Sequence, residues 1–383
     1  MTKINSKTLS VFVIAGEQSG DMLGARVILE LTKQLQPLKT DIKLYGLGGE
    51  ELGALGLQSI FDYRQLSIMG FVDVVKKIFK LKKLIKQTAK SIAQIKPDIV
   101  LSIDSGGFCF RTVGYAKKLL GQDAKHTKFY HYVAPAVWAY HETRGMRLKK
   151  IYDKIFCLYD FEPPYFTRYG LDAICVGTDF TYFNADNHLP VQKTKPSLAI
   201  TLGSRRSEVK THALIIKDAI TTGNLDKDYN IVFLATTATL ELVKLHFKTF
   251  KIVCGKNAKL EVLKTADFAI AKSGTNAMEF LANRVKCLVY YKISPINFWI
   301  LKHITGVKVI YANLINIVHG KMIVRECVNA NCTAQNITAE LASLAKGLYN
   351  DDYELAFKFF KPSHSKDLNP AIIIAKNMIS DLS

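Results

Sequence analysis

The segment LSVFVIAGEQSGD at residues 9–21 decides the fold, because it joins an almost continuously apolar run to a turn that contains glycine. Residues 9–15 have the composition of a parallel strand that is buried on both faces. Gly16 and Gly20 let the backbone turn tightly where the strand ends, and a helix predicted to begin near Met22 would present free amides there. The segment therefore predicts a strand, a turn and a helix, the repeating unit of an open α/β sheet.

Apolar β-branched runs alternate with helical patterns along the rest of the chain, and the alternation restarts after a polar linker at 181–195. Further strands are predicted at 42–45, 99–103, 129–133, 155–158, 174–176, 198–202, 231–234, 252–253, 268–271 and 287–290. We expect two Rossmann-like doubly wound domains, residues 1–180 and 196–365, facing a cleft that binds the ligand. The last segment, 366–383, is predicted to form a helix that can pack on either domain, and crossing back to the N-terminal domain is one of these two alternatives.

The composition excludes several classes of protein. The chain has 383 residues, of which 49% are hydrophobic. It is longer than the segment that one hydrophobic core usually organises, so two domains are expected. No run approaches the ~18 apolar residues that a membrane-spanning helix needs. Lys3 and Lys7 before the first apolar run are compatible with a short signal peptide, but Glu17 and Asp21 follow at once and favour a first buried strand.

Charge and cysteine content indicate the compartment and the partners. The net charge of +19 indicates a polyanionic partner, and charge alone leaves open nucleic acid, an acidic membrane surface or phosphorylated substrates. The seven scattered cysteines include no CxxC pair and are typical of buried thiols in a reducing cytoplasm. Neither a metal site nor a cofactor is predicted. The only DxD motif, at Asp226 and Asp228, falls in a predicted solvated turn at the amino-end edge of the sheet.

Three segments of the first half contain candidate functional residues. Asp104 follows a predicted strand, so its carboxylate is our candidate general base; a helix cap or turn former is the alternative. The turn with Glu17 is a candidate binding loop, or a structural turn, and its glycines do not fit GxGxxG. Trp138 and its aromatic neighbours suit a sugar or an acyl chain, although core packing explains them equally well.

The second half contains two predicted anion sites on separate strand–helix units. Gly203, Ser204 and Arg205 precede one helix, where free amides, the helix dipole and a guanidinium favour phosphate. A similar segment covers 272–279, in which Glu279 could accept both hydroxyls of a ribose. Together the two segments predict a nucleotide diphosphate site.

Residues 68–96 suggest a membrane-facing patch. Eight lysines lie between Lys76 and Lys96, and no acidic residue occurs from 74 to 97. At ~100° per residue one helix flank carries Val72, Val75 and Phe79 and then lysines, as attachment to an anionic membrane requires. Packing of this flank under residues 65–70 is the alternative.

Seven motifs together resemble the lipid-A-disaccharide synthase family over residues 9–332. They are AGEQSGD (15–21), SIMGFVDV (67–74), KPDIVLSIDSGGF (96–108), HYVAPAVWA (131–139), LGSRRSEV (202–209), AKSGTNAMEF (271–280) and YANLINIVHG (311–320). The resemblance implies the two-domain GT-B fold of nucleotide-sugar glycosyltransferases. It also implies that UDP-2,3-diacylglucosamine donates its sugar to 2,3-diacylglucosamine 1-phosphate, with inversion and without a metal or cofactor, in lipopolysaccharide synthesis of a Gram-negative bacterium.

The resemblance also assigns residues. Asp104 matches the family's proposed base. Glu17 and Ser19 belong to the loop after the first strand and are the other two catalytic residues that the resemblance implies. The UDP-sugar segments contain Ser204, Arg205, Ser273, Gly274, Thr275, Glu279, Asn316 and Asn329. The membrane patch comprises Ile68, Met69, Phe71, Val72, Val75 and Phe79. The implied location is the cytoplasm, peripheral on the inner face of the inner membrane; a homodimer stays an open alternative.

The chain departs from the family pattern at four positions. Leu202 and Ile315 replace prolines, Asn329 stands in place of glutamine, and Thr178 in place of histidine.

Two other classes of function are compatible with these patterns. One is another membrane-associated GT-B transferase or epimerase of a UDP-amino sugar; the other is a basic lipid- or nucleic-acid-binding module. The lack of a basic stripe interleaved with aromatic residues argues against nucleic acid.

Overall fold

The computed structural model describes residues 8–66, 74–138, 143–178, 180, 194–292, 311–360 and 369–382, and side chains from residue 79 onward in the helix that begins at 74. The chain divides into two compact units. The first unit comprises residues 1–178 and 362–383, and the second comprises residues 179–361.

The first unit is a six-stranded parallel sheet with the strand order β2-β1-β3-β4-β5-β6. Its strands are β1 Thr8–Ala15, β2 Asp41–Leu47, β3 Ile99–Ile103, β4 Lys128–Tyr132, β5 Lys154–Cys157 and β6 Asp172–Cys175. Its helices are α1 Gln18–Leu35, α2 Glu50–Gly53, α3 Val74–Ile95, α4 Gly106–Leu120, α5 Arg144–Leu148 and α6 Pro164–Thr167, with the helix near residue 382 described below. The strand order reverses between β1 and β3, so helices cover both faces of the sheet and two apolar cores result.

The second unit repeats this architecture with the strand order β12-β11-β10-β7-β8-β9. Its strands are β7 Ser197–Thr201, β8 Asn230–Ala235, β9 Lys251–Cys254, β10 Phe268–Lys272, β11 Lys286–Tyr291 and β12 Glu326–Val328. Its helices are α7 Arg206–Thr222, α8 Leu225–Asp228, α9 Leu240–His246, α10 Lys256–Thr265, α11 Thr275–Ala282, α12 Leu314–His319, α13 Ala334–Ala345 and α14 Asn350–Lys358. The predicted class, two Rossmann-like α/β domains, is confirmed.

Helix α15, Pro370–Leu382, belongs to the first unit although the second unit precedes it in sequence. It packs on α1, and Ile374 and Met378 are fully buried in the same core as Leu31. Lys154 of β5 pairs with Asp381 at 2.9 Å, which ties the end of this helix to the sheet. The first unit is therefore assembled from two separate pieces of the chain.

Two local expectations differ from the structure. Helix α1 begins at Gln18 and not near Met22, because the polar residues after Gly16 form its first turn with Glu17 as the N-cap residue. Strand β12 was not predicted. It has three residues and starts with a glutamate, so it lacks the apolar run by which the other strands are recognised.

Candidate functional site

Asp104 lies immediately after β3, at the carboxyl edge of the first sheet. Its backbone N–H donates to the carbonyl of Tyr132 at 3.0 Å, and its carboxylate accepts from the N–H of Ser105 at 2.7 Å. Burial raises the pKa of this carboxyl, and the hydrogen bond from Ser105 lowers it by less. A desolvated carboxylate binds a proton more tightly than an exposed one, which is a property that a general base needs.

The backbone around Asp104 is held in an unusual conformation. Asp104 and Ser105 have φ values of 49° and 43°, and Val133, after the neighbouring strand β4, has a φ of 71°. A β-branched residue in the left-handed region is strained, and such strain concentrates at functional sites. The turn after β1 lies close to Ser105, since a Cβ at Gly16 would lie 3.0 Å from the Ser105 hydroxyl. The turn after β1 and the turn after β3 therefore form one continuous surface.

Glu17 and Ser19 are exposed on the first turn of α1, beside this surface. Asp21 has a different role, because it is 2% exposed and its carboxylate accepts backbone hydrogen bonds from Gly49, Glu51 and Leu52 at 2.6, 2.9 and 3.3 Å. Asp21 thus caps α2 and fixes the loop after β2. Its side chain is structural, whereas Glu17 and Ser19 are exposed at the surface.

The aromatic segment after β4 is supported by a buried polar network. The His131 ring lies 2.8 Å from the Ser102 hydroxyl through Nδ1, and Ser102 also contacts the Tyr152 hydroxyl at 2.9 Å. Burial lowers the pKa of His131 to about 3, so the ring is neutral at physiological pH. Trp138 packs edge-on against Phe161 at 5.6 Å. These contacts favour a packing role for the aromatic residues of the segment.

Glu162 is a candidate functional residue that the sequence did not reveal. It is 4% exposed, and one carboxylate oxygen accepts from the N–H groups of Leu158 and Tyr159 at 2.8 and 3.1 Å, in the turn after β5. Burial raises the pKa of this carboxyl to about 7 despite these hydrogen bonds and the nearby Trp138 indole. An acid after a predicted strand was the available signal, but Glu162 stands five residues beyond the end of β5.

In the second unit, the loop between β7 and α7 already has an acceptor. Arg205 is the exposed N-cap residue of α7, but the carboxylate of Glu208 accepts from the N–H groups of Ser204 and Arg205 at 2.9 and 3.2 Å. The other oxygen of Glu208 lies 3.1 Å from the Lys272 ammonium. Two of the amides that the sequence predicts to bind phosphate, those of Ser204 and Arg205, are thus occupied by a side chain, whereas the Arg205 side chain is exposed.

The second predicted anion site is open. Gly274 and Thr275 are exposed at the start of α11, and the N–H groups of Thr275 and Asn276 have no hydrogen-bond acceptor among the residues that the structure describes. Ser273 donates its hydroxyl to the carbonyl of Ala312 at 2.7 Å, which fixes the loop that follows β10. The helix start therefore presents free amides to an anion.

Glu279 is buried one turn into α11 and forms an ion pair with Lys259 of α10. Lys259 also lies 3.4 Å from the side-chain oxygen of Asn276. The lysine was not predicted as a site residue because α10 and α11 approach each other only in the folded unit. A ribose that binds Glu279 would share this carboxylate with Lys259.

Asn316 lies on α12, and Asn329 directly follows β12. Asn316 is fully buried; its oxygen accepts from the N–H groups of Ile323 and Val324 at 2.8 Å each, and its amide donates to the carbonyl of Val324 at 2.7 Å. Its side chain thus holds the 323–324 loop, so an influence on a ligand would be indirect. Asn329 is partly exposed with a φ of 52°.

Two positions that depart from the family pattern are buried, Leu202 and Ile315. The carbonyl of Leu202 lies 3.1 Å from Nδ1 of His212, and Nε2 of the same ring accepts from the N–H of Lys292 at 3.3 Å. The ring thereby ties β7 to the residues after β11. Nothing in the structure explains why threonine replaces histidine at position 178.

The predicted membrane patch is described only in part. Ile68, Met69, Phe71 and Val72 lie outside the described residues, as does the side chain of Val75. Phe79 is 67% exposed on α3, and the Lys82 ammonium lies 5.9 Å from its ring centre. Within the described part of the chain, every helix is too short or too polar to cross a membrane.

Comparison with known proteins gives a consistent result. Residues 11–365 match the model of the lipid-A-disaccharide synthetase family. The chain is 34% identical over 382 residues to the lipid-A-disaccharide synthase of Rickettsia felis, covering 96% of this chain and 95% of the relative.

Two solved structures share the fold. The glycotransferase of kitacinnamycin matches with a TM-score of 0.60 at 12% identity, over 98% of both chains. A UDP-GlcNAc 2-epimerase from Neisseria meningitidis, bound to UDP-GlcNAc, matches with a TM-score of 0.54 at 13% identity, again over 98% of both chains.

Proposed function

The chain belongs to the lipid-A-disaccharide synthase family of glycosyltransferases, and from this premise we propose that it transfers the sugar of UDP-2,3-diacylglucosamine to 2,3-diacylglucosamine 1-phosphate. The products are the β-1,6-linked disaccharide 1-phosphate and UDP. The desolvated Asp104 carboxylate at the end of β3 carries the proposal, because this transfer needs a base that takes the proton of a hydroxyl.

The proposed reaction is a single displacement with inversion. The 6-hydroxyl oxygen of the acceptor attacks the anomeric carbon of the donor, and Asp104 accepts the hydroxyl proton. The bond between the anomeric carbon and the diphosphate oxygen breaks, and its electron pair leaves with UDP. Glu17 and Ser19, exposed beside Asp104, are proposed to orient the acceptor.

The second unit is proposed to bind the UDP moiety. The free amides at the start of α11 and the Arg205 guanidinium can stabilise the diphosphate as it leaves, in place of a metal ion. Gly274 and Thr275 would lie against the phosphates, and Glu279 would accept the ribose hydroxyls. The epimerase from Neisseria meningitidis, which shares the fold, was solved with UDP-GlcNAc, and this supports a UDP-sugar donor.

We also propose that the protein works at the inner face of the inner membrane, where its lipid substrates lie. The exposed Phe79 next to a lysine, on a helix with seven lysines between 76 and 90, supports attachment to an anionic surface.

An assay with purified protein tests the reaction. We expect UDP and disaccharide from UDP-2,3-diacylglucosamine and 2,3-diacylglucosamine 1-phosphate in excess EDTA. Absence of product with and without metal would contradict the substrates, whereas product only after addition of a divalent metal would contradict the metal-independent mechanism.

A different reaction on a UDP-amino sugar is the second candidate, since the fold is shared with an epimerase. That function would convert UDP-GlcNAc without any lipid acceptor. Incubation of the protein with UDP-GlcNAc alone separates the two functions, because the proposed transferase should leave this compound unchanged.

A further inference from the structure

Lys272 stands between the two loops that were predicted to bind anions. It is the last residue of β10, which pairs with β7 in the register of Ala271 with Thr201, so both loops leave the same edge of the sheet. Its ammonium lies 3.1 Å from Glu208 and 3.8 Å from the point that a Cβ at Gly274 would occupy. One cation therefore contacts the occupied loop and borders the open one.

Glu208 acts as an internal anion in the occupied loop. Its carboxylate accepts from Ser204 and Arg205 and pairs with Lys272, and these groups together hold the pKa of Glu208 below its usual value although burial acts in the opposite direction. At the start of α11, the N–H groups of Thr275 and Asn276 have no acceptor among the described residues, so a diphosphate can bind there. It would therefore bind beside Lys272.

The position of Lys272 also suits a change of partner. Its side chain is 20% exposed, and its ammonium lies 4.9 Å from the centre of the Tyr291 ring, within cation–π distance. A bound diphosphate with its negative charge can compete with the Glu208 carboxylate for this ammonium.

We propose that Lys272 is a catalytic residue of the transfer, which contacts the diphosphate at the start of α11 and neutralises the charge that develops on UDP as it leaves. The inference rests on the proposed function. In this role the Lys272 ammonium supplies part of the charge stabilisation that a metal ion supplies to the leaving diphosphate in metal-dependent enzymes. Glu208 holds this lysine in place while the site is empty.

The test compares Lys272→Met with variants that isolate its charge. We expect Lys272→Met to lower kcat on the order of 10- to 100-fold, with a smaller change in the donor KM. Its affinity for UDP, measured by calorimetry, should fall about tenfold, while its affinity for uridine is unchanged. Lys272→Arg, which keeps a cation, should retain more activity than Lys272→Met.

A double variant separates a catalytic from a structural role. If Lys272 served only to neutralise Glu208, Lys272→Met with Glu208→Gln would regain wild-type kcat, because a neutral amide needs no cation. We expect this double variant to remain impaired. Lys264→Met removes another lysine cation of the second unit, 43% exposed on α10, and should keep wild-type kcat.

The outcomes distinguish the inference from the function on which it rests. If the wild type is active and Lys272→Met has the same kcat and the same UDP affinity, the role of Lys272 is overturned but the proposed function is not. Recovery of wild-type kcat in the double variant would have the same meaning. A wild-type protein that binds no UDP would overturn the proposed function, and the inference with it.

Discussion

At the scale of single residues, Asp104 is the residue on which the proposed chemistry depends most directly. Burial raises the pKa of its carboxyl above the ordinary 3.8, and a base must be deprotonated to act. We expect kcat/KM to fall as the pH drops through this raised pKa, so the acidic limb of the profile should lie at a higher pH than an ordinary aspartate would give.

Replacement of this carboxylate gives the complementary prediction. Asp104→Asn should lower kcat about 10²- to 10⁴-fold, because an amide cannot accept the proton, while calorimetry should still detect UDP binding. Asp123→Asn, at a half-exposed carboxyl paired with Lys96, is the matched control and should keep wild-type kcat. Equal activity of the Asp104 variant would exclude this residue as the base.

Glu162 should make the stability of the protein depend on pH. Its pKa is about 7 in the folded state against an ordinary 4.5, so between these values the folded chain binds more protons than the unfolded chain. Stability is thus greatest below pH 4.5 as far as this group is concerned, and about 3 kcal/mol is lost as the pH rises through 7.

A neutral replacement isolates this contribution. Glu162→Gln keeps an acceptor for Leu158 and Tyr159, so its free energy of urea unfolding should decline less than that of wild type between pH 5 and pH 8. Glu241→Gln, at a carboxyl that is 78% exposed, should follow the wild-type profile. Identical profiles for wild type and Glu162→Gln would show that the pKa of Glu162 is not raised.

At the scale of secondary-structure elements, sequence patterns predicted what depends on local hydrophobicity. Strands such as β3 are buried at every position, and a run of this kind is visible without a structure. The same patterns did not reveal β12, or the first turn of α1, because polar residues there take part in regular structure. The ion pairs of Lys272 with Glu208 and of Lys259 with Glu279 join different elements, so they depend on how the elements pack.

Helix α3 leads to a prediction about membrane attachment. Phe79→Ser should weaken binding to vesicles that contain phosphatidylglycerol about tenfold, because the phenyl ring can no longer be buried in the lipid. Leu214→Ser is a closely matched control, since Leu214 is also 67% exposed but lies on α7 of the second unit. Sedimentation with vesicles measures both; an equal loss in the two variants would contradict a specific role of Phe79.

At the scale of the whole molecule, the first unit depends on a distant helix. Ile374 of α15 is fully buried, so Ile374→Ala should lower the free energy of unfolding by about 3 kcal/mol. Lys376→Ala, on the exposed face of the same helix, should change it by less than about 0.5 kcal/mol. Urea unfolding of both variants decides whether α15 is part of the core.

The division into two α/β domains followed from the restart of the strand pattern after residue 195, whereas the choice between the two domains for the last helix did not. The apolar face of α15 fits any core, and the contacts that select α1 come from side chains more than 330 residues away, as the bond from Gln34 to the carbonyl of Ile372 shows. Amphipathicity predicts that one face of a helix is buried, but it does not predict which element that face packs against.

The position of α15 also orders the events of synthesis. A ribosome makes the six strands of the first unit before the second unit exists, yet the helix that covers part of their core emerges only after residue 369. The second unit, being one continuous segment, can fold as soon as it has left the exit tunnel. The domain that begins first is therefore completed last, and until then the nascent chain exposes the apolar surface of α1 to chaperones.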